Sequence, residues 1–329
     1  MRILITGAAG FLGRNVLAQL GASHEWVATW RGGGDFVEWC RTRGSIESRA
    51  CDLADGPAVG RCFAPNEHFD VVLHLAANGD PAASISNPAG DLCSGPLTLL
   101  TLFGRIRARR LIYFSSGAVY DGCRGAVNPA SPTSPTLPYA VGKLACEQYV
   151  RALPARLGRI DEFVNVRFFG AFGPWEPPRK IYTRLVQCFG IERRAEFAIR
   201  GDGRNLIDAM YVSDAVEAVQ ALIEGPALNR TVDLASGQPL SIRSLVERAA
   251  HCFGIAPRVI CSGDVPEYIE FHSDCSDQRR WWPDGPRVPL EDGLRRLCRH
   301  LTDGKTNDGA GISPVKHRRD AGATQTAGV

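Results

Sequence analysis

The chain has 329 residues, 44% of them hydrophobic and 22% charged, and a net charge of +3, the balance of a soluble globular protein with room for about two domains. So small a net charge gives no electrostatic case for a nucleic-acid partner, and no apolar run approaches the ~20 residues of a membrane span. Eleven scattered cysteines, without C-x-x-C or zinc-ligand spacing, predict no metal site, and an odd count without a secretory leader predicts reduced thiols in a cytoplasmic protein.

In chain order, short apolar runs alternate with helical patterns. Strands are predicted at Arg2–Thr6, Glu25–Trp30, Ser48–Cys51, Val71–Leu75, Leu111–Ser115 and Phe163–Phe168, each rich in β-branched or aromatic residues and bounded by turn residues. Amphipathic helices are predicted over Gly10–Leu20, Leu92–Ile106 and Tyr139–Leu157. The basic run Arg105-Ile-Arg-Ala-Arg-Arg110 reads as a solvated helix end. The alternation predicts an α/β fold with a doubly wound parallel sheet.

After Arg167 the character changes. A Pro-rich loop, "GPWEPPRK" (173–180), introduces a smaller and discontinuous second domain. The division predicted is 1–166 for the first domain and 167–303 for the second. Residues 207–236 return to the first through the helix pattern Val212–Ile223 and the apolar run Thr231–Ala235. The polar, aperiodic stretch 304–329 reads as a disordered tail.

"ITGAAGFLG" (5–13) sets Gly7, Gly10 and Gly13 between the first strand and the first helix. One glycine permits a tight turn, one lets the backbone approach a pyrophosphate, and one allows close helix–sheet packing. The helix N-terminus then offers free N–H groups to the phosphates, with Ala9, Phe11 and Leu12 around them. Strand two ends in Thr29, Trp30 and Arg31, where such folds carry an acid for the ribose 2′-hydroxyl of NAD. The planar donor fork of Arg31 suits a 2′-phosphate instead, so NADP(H) is favoured over NAD(H).

The spacing T-G-x-x-G-x-x-G resembles the short-chain dehydrogenase/reductase superfamily, specifically its extended branch of nucleotide-sugar epimerases and dehydratases. "CDLAD" (51–55) resembles that branch's strand-three motif, which implies that Asp52, next to Leu53, faces the adenine. "VVLHLAA" (71–77) resembles its strand-four motif, which implies that Leu75, Ala76 and Ala77 line the cofactor. Tyr139-Ala-Val-Gly-Lys143 is similar to its Y-x-x-x-K. The resemblance extends from Met1 to about Leu301. It implies a Rossmann domain with a smaller α/β substrate-binding domain, and a homodimer paired through the patterns Leu92–Ile106 and Tyr139–Leu157.

Tyr139 and Lys143, four apart in a helix, share one face. A neighbouring ammonium favours the phenolate, so Tyr139 can move a proton at a sugar hydroxyl while hydride is exchanged with the nicotinamide. The resemblance implies that Lys143 also holds the nicotinamide ribose. "YFSSGAVYD" (113–121) resembles the family's S-S-x-x-V-Y-G and puts the second catalytic hydroxyl at Ser116, a donor to the developing oxyanion. Ser115 is the runner-up and is counted with the cofactor contacts, and Tyr120 reads as packing. Gly117 and Ala118 stand where the family's 4,6-dehydratases have an Asp-Glu pair, and supply neither the acid nor the base that elimination needs.

"VRFFGAFGPWEPPRK" (166–180) and "GDGRNLIDAMYVSDAV" (201–216) resemble the two substrate segments, with Gly170 for the usual asparagine and Ile207 for the usual arginine on the diphosphate. Arg179, Lys180, Arg200 and Arg204 are candidate replacements, with Ser116 and Gly117 at the sugar. Asp214 reads as a first-turn acid, and Trp281 and Trp282 as core packing. The resemblance implies hydride transfer at C4 of a nucleotide-diphospho-sugar, a 4-ketoreductase being favoured over a 4-epimerase because of Arg31. A 4,6-dehydratase-like member and a non-catalytic NADP-binding sensor or scaffold are the alternatives.

Overall fold

The computed structural model describes residues 1–32, 35–226, 228–265 and 269–307. Seven parallel strands form one sheet: β1 (Arg2–Thr6), β2 (Glu25–Trp30), β3 (Ile46–Ala50), β4 (Glu67–His74), β5 (Ile106–Ser116), β6 (Ile160–Phe168) and β7 (Arg230–Leu234). Their order is β7-β6-β5-β4-β1-β2-β3. It reverses between β1 and β4, so crossovers cover both faces and a crevice opens at the carboxyl ends of those two strands.

Strand periodicity divides the core. Ile3, Ile5, Leu73 and Ile112 face the layer formed by the helices Phe11–Leu20 and Val212–Glu224. Leu4, Val72, Leu111 and Tyr113 face the helices Thr98–Phe103 and Pro138–Ala152. Trp282 is buried in the first of these cores with Trp281 stacked on it, the packing role expected.

Two helix patterns resolve into pieces. The first becomes Pro88–Leu92, a π-turn Cys93–Leu97 containing Pro96, and Thr98–Phe103. A proline inside a helix removes one N–H and displaces the preceding carbonyl, which accounts for the wider turn. The second runs Pro138–Ala152 and continues as a π-turn, Leu153–Leu157.

The basic run is not a helix end, because β5 begins at Ile106. Arg110 is buried, and its Nη1 donates to the carbonyls of Leu222 (2.7 Å), Ile223 (3.2 Å) and Gly225 (2.8 Å). It thereby caps the C-terminus of the helix Val212–Glu224, where carbonyls lack partners and a cation is favoured, while Glu162 accepts from its Nε at 2.7 Å.

A third core gathers Tyr182, Leu185, Phe189, Phe197, Leu245 and Leu294. Beside it, Glu196–Arg200 pairs with Arg258–Ser262. Arg124–Val127 pairs with Glu270–Ser273, so an early segment joins a late one. Asp214 does more than occupy a first turn: its buried Oδ2 accepts from the N–H groups of Arg287 and Val288, fastening the approach to the last helix. That helix runs Leu290–Asn307 and takes in the first residues of the expected tail; 308–329 lie outside the described residues. Among the described residues no helix is long and apolar enough to cross a membrane.

Candidate active site

Gly7 sits at φ +65°, and a Cβ there would stand 2.9 Å from the Ala76 nitrogen. A Cβ on Gly13 would stand 2.7 Å from both the Cα and the carbonyl oxygen of Ala8. Only glycine fits at either position. Gly10 precedes the helix Phe11–Leu20 without a side-chain cap, and the first turn carries no acid. Its leading N–H groups therefore face the crevice free for an anion. Thr6 fixes the opposite wall, its Oγ1 accepting from the N–H groups of Leu75 and Ala76 at 3.1 Å each.

Gly7, Ala9, Gly10, Phe11, Leu12, Gly13, Arg31, Asp52, Leu53, Leu75, Ala76 and Ala77 line one cleft of about 510 Å³. The structure adds Arg14, Thr29, Ser94 and Thr98 to them. Arg14 directly follows the third glycine, a signal the sequence offered. Ser94 and Thr98 come from the far side of the fold and carried none. The Oγ atoms of Thr29 and Ser94 are buried without a hydrogen-bond partner among the described residues, as in a wall built for a polar guest. Shape, glycine approach and free donors all fit a dinucleotide.

At the end of β2, Arg31 is largely exposed and lies 3.4 Å from Asp52. The first described acid after β2, Asp35, bonds Arg14 at 2.5 Å, while Arg14 Nε donates to the Ala9 carbonyl.

The catalytic candidates stand at the carboxyl end of β5 and on the helix Pro138–Ala152. The strand's pleat sends consecutive serines to opposite sides. Ser115 is buried with its hydroxyl donating to Glu147 Oε1 at 2.6 Å, so the hydroxyl expected near the cofactor points into the protein. Ser116 is half-buried, and its Oγ accepts from the Ala118 N–H at 3.1 Å, which leaves its own proton to donate. Lys143 is buried on the same helix as Tyr139, its Nζ 5.9 Å from the Tyr139 ring centre and donating to the Phe114 carbonyl at 2.7 Å. Gly117 is buried, and a Cβ there would stand 3.0 Å from the Phe169 ring.

Tyr120 does more than pack. Its hydroxyl donates to Asp233 Oδ1 at 2.7 Å and accepts from Arg167 Nη1 at 3.0 Å. Arg167, the leading arginine of the first substrate segment, is thus held inside the protein.

The substrate candidates separate. Arg179 crosses to the loop after β4, 3.5 Å from Asp80 Oδ2. Burial and the neighbouring charge of Arg179 lower the pKa of Lys180. Arg200 donates to the Asp264 carbonyl, and Arg204 pairs with Asp202 at 2.6 Å, each engaged by its own surroundings. Ile207 pairs with Leu240 in a short ladder.

The sequence pattern of the NAD dependent epimerase/dehydratase family matches residues 3–234. The chain is 25% identical over 314 residues, 92% of its length, to an uncharacterized UDP-glucose epimerase, YtcB, of Bacillus subtilis (98% of that protein). It is 27% identical over 322 residues to a UDP-glucuronate 4-epimerase of Thermodesulfobacterium geofontis, covering 89% of this chain and 94% of that one. Its fold matches a double mutant of DesIV, a dTDP-glucose 4,6-dehydratase of Streptomyces venezuelae with NAD bound. There the TM-score is 0.80 at 21% identity, over 94% of this chain and 98% of that one.

Proposed function

The chain belongs to the NAD dependent epimerase/dehydratase family, and from that premise we propose that it exchanges hydride at C4 of a nucleotide-diphospho-sugar, with Tyr139 as acid/base. The observation that carries this reading is that Ser116 stands at the carboxyl end of β5 while Tyr139 and Lys143 share the helix tied to that strand by the 2.7 Å bond from Lys143 to the Phe114 carbonyl. A nicotinamide cofactor held by the residues of the glycine-lined cleft would supply or accept the hydride. The chain's own part is proton management. Ser116 donates to the C4 oxygen, and Tyr139 takes or returns its proton, a role the buried cation of Lys143 supports.

Arg31 favours NADP(H), since the acid that would contact a free ribose hydroxyl is missing and Asp35 is engaged by Arg14. NADPH is the cell's reducing pool, so a 4-ketoreductase is preferred to a 4-epimerase. A 4,6-dehydratase is disfavoured because Gly117 and Ala118 supply neither the acid nor the base, and a side chain at 117 would crowd the Phe169 ring. Arg179 and Lys180 are the best-placed grip for the diphosphate. Two adjacent cations repel, and an anion between them relieves that cost.

A homodimer fits the exposed apolar side chains Leu92, Leu97, Val141, Tyr149 and Leu157, which belong to the two helical stretches expected to pair. Light scattering showing a monomer at micromolar concentration would refute it.

The test of function is a panel of nucleotide sugars and 4-keto sugars, followed by reduced-nicotinamide absorbance and product analysis. Turnover abolished in Tyr139→Phe with cofactor affinity retained supports the reading. Cofactor binding without turnover on any panel member leaves the sensor or scaffold alternative in its place.

A further inference from the structure

Beneath the carboxyl end of β5 lies a buried polar chain that the proton chemistry does not use. Arg167 on β6 and Glu147 on the helix Pro138–Ala152 form a two-point ion pair, Nε to Oε1 at 3.0 Å and Nη2 to Oε2 at 2.9 Å. Both side chains are almost completely enclosed, at 4% and 0% exposure. Glu147 Oε1 also accepts from the Ser115 hydroxyl, the residue before Ser116. The remaining guanidinium nitrogen donates to Tyr120 OH, at the end of the turn that Ser116 opens. Tyr120 in turn donates a hydrogen bond to Asp233 on β7, whose other oxygen accepts from Ser273 at 3.3 Å.

The segment carrying Ser116 is thus held on both sides, at 115 through Glu147 and at 120 through Arg167. Glu147 lies one turn beyond Lys143 and two beyond Tyr139 on the same rigid helix. We propose that Arg167, with Glu147 as counter-ion, is a positioning residue that sets the Ser116 hydroxyl against that of Tyr139. This rests on the reading of those two hydroxyls given above.

An ion pair so deeply buried is a poor device for stability. Replacing both partners by apolar residues of similar volume is often neutral, whereas removing one leaves an unpaired charge inside the protein. It is a good device for geometry, because a two-point guanidinium–carboxylate contact fixes angle as well as distance.

That asymmetry supplies the test. Glu147→Leu with Arg167→Met removes both ties together. The double variant is expected to melt close to the wild type and to bind NADPH with little change. Its kcat on the best substrate of the panel is expected to fall on the order of 10²-fold, the cost of a small misplacement of reacting groups, with KM much less affected. Amide exchange is expected to quicken in residues 115–120 and 138–147 and not elsewhere. Wild-type kcat together with wild-type exchange in those segments overturns the proposal. A wild-type protein that turns over no sugar on the panel sinks the functional reading alone, since the exchange measurement still decides the positioning role. Should the double variant not fold, Ser115→Ala and Tyr120→Phe cut the two ties singly with the ion pair intact. The same split between kcat and KM supports the proposal, and unchanged kcat in both overturns it.

Discussion

Thr6 Oγ1 and His74 Nδ1 lie 3.0 Å apart at the buried carboxyl ends of β1 and β4, and the contact decides the imidazole's protonation state. Thr6 already accepts two backbone N–H bonds, so its single proton goes to Nδ1, which must be bare. The ring is therefore neutral, with its proton on Nε2. Burial, and next the charge of Lys143, push the His74 pKa down to about 3.

The sign of the pH effect follows. The unfolded chain takes up a proton at His74 near pH 6.5, while the folded chain refuses it until about 3. The stability this group provides is complete above about 6.5 and is lost as the pH falls towards 3, with a slope of up to about 1.4 kcal/mol per pH unit. In His74→Asn the slope of unfolding free energy across that window should be shallower. Superimposable wild-type and variant profiles would show that His74 titrates normally in the fold.

Two glycines provide a matched pair. Gly13→Ala forces a Cβ against the Ala8 backbone at 2.7 Å, and backbone cannot swing aside as a long side chain can. It should destabilise by about 1–3 kcal/mol and impair cofactor binding. Gly60, inside the helix Gly56–Cys62, has nothing within 4 Å of such a Cβ, so Gly60→Ala should stabilise by up to about 1 kcal/mol. Chemical denaturation with and without NADPH measures both, and equal effects at the two sites would contradict the packing argument.

Arg31 is expected to set cofactor choice. Losing a charge-assisted bond worth about 1.5–3 kcal/mol should cost Arg31→Ala about 10- to 100-fold in NADPH affinity and leave NADH almost unchanged. A wild-type preference for NADH that survives the substitution would show that the ribose is held elsewhere.

Asp80 and the diphosphate compete for Arg179. UDP, titrated calorimetrically, should bind about 10-fold or more weakly to Arg179→Ala if a charged hydrogen bond is lost. It should bind more tightly to Asp80→Asn, which frees the guanidinium. Affinity indifferent to both substitutions would move the diphosphate grip away from this loop.

The sequence by itself determined whatever depends on neighbours along the chain. β1 and β2 occur at the predicted bounds because their apolar runs are short and flanked by turns, and the glycine loop is legible because each glycine answers a local backbone demand. β4 and β5 begin earlier than their apolar centres, at Glu67 and Ile106, because the ladder between them recruits polar residues that no periodicity marks. The tertiary structure alone decided the rest. It turned Arg110 from a supposed surface charge into the cap of a helix more than a hundred residues away, and it split Ser115 from Ser116 by the pleat of one strand. It also closed Arg167, which the motif had assigned to a substrate segment, onto Glu147. Local pattern records whether a residue is polar; which buried partner satisfies it depends on elements brought together only by the fold.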